Sequence, residues 1–297
     1  MIGIDHQKII NMKRNFIYII NWLLIIVAVA SCKKDKENSN LKSVFSYVAD
    51  GFKVTFTNFS SGAKTYHWDF NDKPGDSSSL KSPQHIFSRK GDFLVSLTAV
   101  NGNQTDVFTD TVSILGPNIK IDGDFTDWEY VEYLHTNSED FGGNIRAIKA
   151  FATAQDINFL VEGTTAMKMD MIDMYIDADN NPATGFSSWD YPAGSGTDFL
   201  LEGPATSPSW GAGYKHSGAP GDWSFNSVFA FDTDMHFSAV KPVSGKNIIE
   251  FSIKKSALGS VKGAINFALV ELDAGWSAIG RVPENEQPES KFISLQL

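Results

Sequence analysis

The strongest constraint on this chain is an alternation of apolar and polar residues that recurs along much of its length. It is clear in the segments VFSYVAD, FKVTFTNFS and FLVSLTAV. Successive side chains of a β-strand point to opposite faces, so such segments predict strands with one buried face. The chain also holds 24 Gly and 11 Pro, which mark many turns and favour short strands over long helices. The predicted fold class is therefore all-β.

Length and charge narrow the range of partners. The chain has 297 residues, of which 42% are hydrophobic, and this length suggests about two domains with packed cores. Its 25 Lys and Arg against 35 Asp and Glu give a formal charge of -10. An acidic surface repels the phosphates of nucleic acid, so a DNA or RNA partner is not expected.

The N-terminus has the pattern of an export signal. Lys13 and Arg14 precede an apolar stretch from residue 16 to residue 30, which is shorter than the roughly 20 residues of a membrane-spanning helix. Residues 1–31 are therefore predicted to be a signal peptide that is removed. Met12 is an alternative translation start, because it stands immediately before the two basic residues.

The signal ends at the only cysteine of the chain. The run Val29-Ala30-Ser31-Cys32 resembles the lipobox of bacterial lipoproteins, and this resemblance implies lipidation of Cys32. The alternative is a lone buried cysteine. Residues 32–40 are polar and are predicted to form a tether, and the charged run Lys33–Glu37 resembles the surface-export tag of gram-negative polysaccharide degraders. We therefore expect an outer-membrane protein that faces the cell exterior and touches the membrane only through its lipid.

Residues 41–115 are predicted to form a first domain. The triplet Trp68-Asp69-Phe70, the triplet His85-Ile86-Phe87 and the run VTFTN resemble a polycystic-kidney-disease (PKD) domain. This resemblance implies an immunoglobulin-like β-sandwich with a spacer role. Trp68 and Phe70 stand at alternate positions and so face one side, between the two sheets. His85 is interpreted as a hydrogen-bonded structural side chain.

Residues 117–297 are predicted to form a second, larger domain. The segment Ile119–Trp128 resembles the opening of family 9 carbohydrate-binding modules and of the related DOMON-like sandwiches. The strand pattern of Ile248–Ile253, followed by Lys254–Leu258, resembles the same fold. The resemblance implies a larger antiparallel β-sandwich of jelly-roll or DOMON-like type that binds carbohydrate.

The segment DADNNPATG, from Asp177 to Gly185, places oxygen-bearing side chains at alternate positions before a glycine. Calcium takes 6 to 8 oxygen ligands, so the segment predicts a possible calcium site. The predicted ligands are Asp177, Asp179, Asn181 and Asp198. The twelfth loop residue is Ser188, not Glu, so the segment is not an EF-hand. The alternative is an Asx-rich turn without a metal.

Aromatic residues are unusually frequent in the Gly-, Pro- and Ser-rich segment 187–227. Sugars present C–H patches that stack on aromatic rings, so this composition suits glycan recognition. The alternative is that the rings fill small clusters beneath long loops. Trp128 and Trp276 are interpreted as core or edge residues. The predicted ligand-binding residues are Trp210, Trp223, Trp189, Tyr214 and Tyr191.

No catalytic motif supports an enzyme, since G-x-S-x-G, H-E-x-x-H and P-loop patterns do not occur in the sequence. No catalytic residues are assigned. The sequence therefore favours a cell-surface glycan-binding lipoprotein that captures a polysaccharide for an outer-membrane uptake system, with an uptake complex as its protein partner. One alternative is a non-catalytic protein-binding or structural lipoprotein, and the second is a glycan-active enzyme.

Overall fold

The computed structural model describes residues 40–192, 194–207, 209–261 and 263–297. The predicted signal peptide (1–31), the lipidation site Cys32 and the tether as far as residue 39 lie outside the described residues. Within these ranges, no helix is both long enough and apolar enough to span a membrane.

The described residues form twenty strands, one short helix α1 (Phe231–Asp234) and two 3-10 turns (Phe125–Trp128 and Lys255–Leu258), which confirms the all-β fold class. The strands are β1 (Phe45–Asp50), β2 (Lys53–Asn58), β3 (Thr65–Asp69), β4 (Ser77–Ser78), β5 (Gln84–Ile86), β6 (Gly91–Asn101), β7 (Gln104–Ile114), β8 (His135–Thr136), β9 (Ile145–Ala152), β10 (Asp156–Gly163), β11 (Ile172–Asp177), β12 (Phe199–Gly203), β13 (Ala212–His216), β14 (Phe225–Ala230), β15 (Met235–Phe237), β16 (Lys241–Val243), β17 (Lys246–Lys254), β18 (Ala264–Leu272), β19 (Ala278–Val282) and β20 (Ile293–Gln296).

The first seven strands form a sandwich of two antiparallel sheets, with orders β1-β2-β5 and β4-β3-β6-β7. Trp68 and Phe70 are buried between the sheets, as their alternate positions predict, and Trp68 packs against Phe56 at 5.2 Å between ring centroids. Trp68 also donates its indole N–H to the Leu80 carbonyl at 2.9 Å, which satisfies the one polar atom of this buried ring.

The remaining strands form a larger antiparallel sandwich. One sheet has the order β15-β17-β10-β9-β8, with β16 paired to β17. The other, here called the seven-stranded sheet, has the order β14-β13-β12-β11-β18-β19, with β20 paired to β18. The two sheets meet in a core where the Phe159 ring lies 5.0 Å from Phe251 of its own sheet and 5.1 Å from Phe267 of the other.

The seven-stranded sheet also has an outer face, turned away from that core. Ile172, Met174 and Ile176 of β11 point into the core, so the alternate residues Asp173 and Tyr175 lie on the outer face. A separate apolar cluster of Tyr175, Leu200, Val270 and Leu272 occupies part of this face. Phe292 packs against the cluster, so the segment before β20 covers part of the outer face.

The two sandwiches share apolar packing at their junction. The Phe52 ring of the first domain meets the Phe151 ring of β9 edge to face, with centroids 5.7 Å apart. Lys90 donates to the Ala152 carbonyl at 3.1 Å, and Trp128 is buried in the apolar cluster that contains the core of the first domain. The interpretation of Trp128 as a core residue is confirmed, and the domains are not separated by an open linker.

A buried carboxylate fixes the start of the second domain. Glu250 of β17 accepts hydrogen bonds from the backbone N–H groups of Asp122 and Gly123 at 2.9 and 2.6 Å. It also accepts from the indole N–H of Trp128 at 2.9 Å. Three donors compensate for removing the carboxylate from water, so the segment 119–128 is held against the sheet.

Candidate functional site

Four tryptophans are exposed in the loops of the seven-stranded sheet. Their exposed fractions are 73% for Trp189, 51% for Trp210, 50% for Trp223 and 53% for Trp276. Each belongs to a different loop: 178–198 between β11 and β12, 204–211 between β12 and β13, 217–224 between β13 and β14, and 273–277 between β18 and β19. Single exposed apolar residues are common on protein surfaces, whereas neighbouring exposed rings that form a patch mark binding surfaces.

Strand register places these rings in two pairs at opposite ends of the sheet. Ile172 pairs with Gly203 and Glu271, so the loops of Trp210 and Trp276 lie at that end. Ile176 pairs with Phe199 at the other end, where the loops of Trp189 and Trp223 lie. We call Trp210 and Trp276 the clamp pair, and Trp189 and Trp223 the stacked pair.

The clamp pair has ring centroids 6.4 Å apart and planes inclined at 52°. Trp276 has a backbone φ of 63°, in the left-handed region that residues with a Cβ rarely adopt. The turn is held by Asp273, whose carboxylate accepts from the N–H groups of Gly275 at 2.8 Å and Ser277 at 2.9 Å. The interpretation of Trp276 as a core or edge residue is wrong, because this turn directs the ring into solvent. Asp273 and Gly275 are turn-forming residues, so the sequence signal that could have indicated a turn at Trp276 is this pair.

The stacked pair has nearly parallel rings, inclined at 13° with centroids 5.7 Å apart. Both rings meet the fully buried Phe186 edge to face, each at 5.1 Å. Ser187 donates its N–H to the Pro220 carbonyl at 2.7 Å and so joins the two loops. The exposed rings of Trp189 and Trp223 are therefore held in position by the buried Phe186 beneath them.

The two predicted tyrosines have different environments. Tyr214 lies on the outer face, where it is partly buried beside Leu200 of the neighbouring strand. Tyr191 is fully buried and donates its hydroxyl to the Pro283 carbonyl at 2.6 Å. The prediction of Tyr191 as a ligand-stacking residue is contradicted, because its ring packs against Phe292 and presents no free face.

The acidic loop brings three of the four predicted calcium ligands together. Carboxylate oxygens of Asp177, Asp179 and Asp198 lie within 4.8 Å of one another. Burial raises the pKa of both Asp177 and Asp198, and each carboxylate also faces its acidic neighbours. The fourth predicted ligand, Asn181, uses its side-chain oxygen to accept from the Ala183 N–H at 3.2 Å. The three carboxylates together offer the oxygen ligands that a hard cation such as calcium prefers.

The outer face carries a carboxyl pair that spacing in the sequence did not reveal. Asp173 of β11 and Glu202 of β12 are direct cross-strand neighbours. Burial, with a further contribution from Glu202, raises the pKa of Asp173 to about 7. The hydroxyl of Tyr175 donates to Asp173 Oδ2 at 3.3 Å. This pair lies between the clamp pair and the stacked pair.

A second acidic cluster lies in the first domain. Carboxylate oxygens of Asp72 and Asp76 and a ring nitrogen of His85 lie within 4.8 Å of one another there. The His85 ring stacks on Phe70 at 4.2 Å and lies 3.3 Å from Asp72. Asp72 also accepts from the N–H and hydroxyl of Ser88. These contacts agree with the interpretation of His85 as a structural residue.

Comparison with known proteins identifies the first domain. Residues 40–107 match the PKD domain family, so this segment is a PKD domain. The PKD1 domain of Vibrio anguillarum Epp is 30% identical, with 25% of this chain and 93% of that one covered and a TM-score of 0.24. The PKD1 domain of the Vibrio cholerae metalloprotease PrtV is 24% identical, with 25% and 95% covered and a TM-score of 0.24.

The chain also has structural neighbours of another kind. A family 9 carbohydrate-binding module from Caldicellulosiruptor kristjanssonii, solved in complex with glucose, is 13% identical. The alignment covers 61% of this chain and 91% of the module, with a TM-score of 0.35. Among curated proteins, no match to this chain is found.

Proposed function

We propose that this protein is a cell-surface lipoprotein that binds a glycan on the outer face of its second domain and captures it for an outer-membrane uptake system. The supporting observation is the placement of four exposed tryptophans in two pairs at opposite ends of one sheet. The PKD domain acts as a spacer between the lipid anchor and this face.

The chemistry of the face favours a glycan over a protein partner. Indole rings stack on the C–H patches of sugars, and Tyr214, Glu202 and Arg281 between the two pairs offer hydrogen bonds to sugar hydroxyls. A protein interface usually has an exposed apolar core inside a polar rim. The apolar cluster of Tyr175, Leu200, Val270 and Leu272 between the two pairs is buried, so it does not present such a core.

Affinity electrophoresis of the purified protein through gels containing soluble neutral polysaccharides tests glycan binding. Both domains are kept, because their shared apolar packing means that residues 117–297 lack part of their packing when alone. Trp210→Ala and Trp223→Ala are expected to lose retardation. Phe59→Ala is the control, since Phe59 is 61% exposed but lies in the PKD domain. Absence of retardation across a broad panel would reject glycan binding in favour of a protein partner.

We assign calcium a supporting role at the Asp177, Asp179 and Asp198 cluster. The cluster joins the start and the end of the loop that carries Trp189, so a cation there would hold the stacked pair in place. Repeating the electrophoresis with calcium and with chelator tests this role. Equal retardation in both conditions would remove calcium from the proposal.

The lipid anchor is tested separately in cells. Labelling with a fatty-acid analogue and membrane fractionation are expected to show a membrane-bound, labelled protein that Cys32→Ser converts to an unlabelled, released form. Protease accessibility on intact cells then distinguishes the outer from the inner side of the outer membrane. Unchanged fractionation of the Cys32→Ser variant would contradict the anchor without affecting glycan binding.

A further inference from the structure

Four segments meet at the end of the PKD domain where the described chain begins. They are residues 40–44, 58–64, 79–82 and 101–106, and we call them the tether end, because the predicted tether leads into residue 40. Three hydrogen bonds join them, at 2.9, 3.1 and 2.8 Å: Ser61 to Asn40, Asn58 to Ser82, and Asn101 to Gly62. The tether end is therefore one continuous surface.

This surface is remote from the second domain. β6 begins immediately after Lys90, whose ammonium group donates to the Ala152 carbonyl of the second domain, and it ends at Asn101 in the tether end. Its 11 residues extend about 36 Å at roughly 3.3 Å per residue. A partner that covers the tether end therefore leaves the tryptophan loops free.

Two large apolar side chains project into solvent at the tether end. Phe59 is 61% exposed and Leu80 is 65% exposed. The backbone is fixed at both positions, because Phe59 donates its N–H to the Val44 carbonyl at 2.9 Å and the Leu80 carbonyl accepts from the Trp68 indole at 2.9 Å. Neighbouring exposed apolar groups mark contact surfaces, whereas single ones are common.

The charge of the tether end is opposite to that of the chain as a whole. It holds three exposed lysines, Lys42, Lys64 and Lys81, against one carboxylate, Asp106. Asp106 is partly buried and accepts from the Ser43 N–H at 2.6 Å. No described acidic group forms an ion pair with any of the three lysines. The tether end is therefore a positive surface on a chain with a formal charge of -10.

The predicted tether limits how far this surface can lie from the membrane. Asn40 follows Cys32 by eight residues, and eight extended residues span at most about 28 Å. A lipid anchor at Cys32 therefore gives the tether end a high effective concentration at the lipid surface. Apolar side chains enter the boundary between headgroups and acyl chains, and anionic headgroups attract lysines. The tether end has both kinds of group.

We propose that the tether end docks on the anionic lipid headgroups of the leaflet that carries the anchor. Phe59 and Leu80 enter the headgroup boundary, and the three lysines pair with headgroup phosphates. Docking holds the second domain on the side away from the lipid. This inference rests on the proposed lipid anchor at Cys32 and adds a contact with the membrane beyond the lipid itself.

Vesicles that carry the protein by its own thiol test the inference. The chain from residue 32 onward contains one cysteine, so a maleimide-bearing lipid couples to Cys32 alone and replaces the natural anchor. The protein is coupled sparsely to phosphatidylcholine vesicles with or without phosphatidylglycerol. Mass spectrometry then measures the acetylation rate of each lysine at low salt.

We expect the three lysines of the tether end to react at least threefold more slowly on the anionic vesicles. Lys73 is the internal control, because it is exposed and follows β3 at the opposite end of the PKD domain. Its rate should be the same on both kinds of vesicle. Equal rates for the lysines of the tether end on both vesicles would overturn the proposal.

A double variant, Phe59→Ala with Leu80→Ala, separates docking from a general effect of the surface potential on lysine reactivity. It should lose most of the protection, whereas Leu115→Ala should retain it, because Leu115 is 85% exposed but lies outside the tether end. Protection that persists in the double variant would also overturn docking. Thermal unfolding verifies that both variants are folded.

These outcomes do not depend on the function on which the inference rests. Chemical coupling supplies the anchor, so the vesicle experiment can fail while lipidation in cells is correct. Conversely, the Cys32→Ser experiment in cells can reject the natural anchor while the vesicle result stands. Protection of the lysines on intact cells, but on neither kind of vesicle, would assign the tether end to a protein partner and reject lipid docking.

Discussion

The indole rings of Trp210 and Trp276 lie 6.4 Å apart between centroids, although their loops follow different strands of the seven-stranded sheet. β12 and β18 are both neighbours of β11, and they finish at the same end of the sheet. The clamp pair therefore exists only when this sheet is assembled.

The backbone conformation at Trp276 predicts that two substitutions there will differ in protein stability but not in glycan binding. Trp276→Gly and Trp276→Ala both remove the ring, but only Gly adopts the observed φ of 63° without strain. We expect the Gly variant to be more stable than the Ala variant by about 1 kcal/mol in the free energy of unfolding. Urea denaturation measures this difference. Both variants should bind glycan equally weakly, and equal stabilities would show that the turn carries no strain.

The spacing of the two tryptophan pairs predicts a dependence on glycan length. The outer face between them spans β12, whose five residues extend about 17 Å at roughly 3.3 Å per residue. Affinity should rise with oligosaccharide length until the chain reaches both pairs. Isothermal titration calorimetry with a length series measures this rise. Trp223→Ala should flatten the dependence, whereas a disaccharide that binds as tightly as the longest chain would show that one pair is sufficient.

The acidic loop predicts stabilisation by calcium. A ligand that binds only the folded state at 100 times its Kd adds about 2.7 kcal/mol to the free energy of unfolding. Thermal unfolding with calcium and with chelator should show a higher Tm with the ion. Asp179→Asn should abolish the difference with little effect of its own, because Asp179 is exposed and its one side-chain partner in the described chain is Thr184. Asp140→Asn should retain the difference.

The raised pKa of Asp173 predicts that stability falls as pH rises. Its carboxyl has a pKa of about 7 when folded, against 3.8 as the ordinary value, because burial and Glu202 oppose its charge. Between these values the folded protein holds a proton that the unfolded chain has lost, so the free energy of unfolding decreases from about pH 4 to about pH 7. The contribution is at most about 4 kcal/mol. Asp173→Asn should reduce this slope in denaturation curves across that range, with the remainder coming from other buried carboxyls such as Asp177, Asp198 and Glu250, whose pKa values burial also raises. An unchanged slope would show that Asp173 does not contribute.

The sequence pattern was sufficient for the fold class and for the rings that pack between sheets. Trp68 and Phe70 stand at alternate positions of one strand, and local periodicity alone assigns them to the core. The clustering of Asp177 and Asp179 likewise follows from a single loop. Such features depend on neighbours in the chain, which a sequence displays directly.

Tyr191 and Trp276 show where that reasoning ends. Both belong to polar turns, yet Tyr191 is covered by the segment before β20 and Trp276 is directed outward by a strained turn. Their exposure depends on which distant segment covers each loop. The Asp173 and Glu202 pair was missed for a related reason, because strand register places the two residues side by side and their separation in the chain does not.

The apolar packing shared by Phe52 and Phe151 has a mechanical consequence. Asn40, where the described chain begins, lies beside Ser61 at the end of β2 remote from Phe52. Because this packing joins the two described sandwiches, a rotation of the first domain turns the tryptophan loops through the same angle. The PKD domain and the tryptophan loops therefore change orientation together, as one unit.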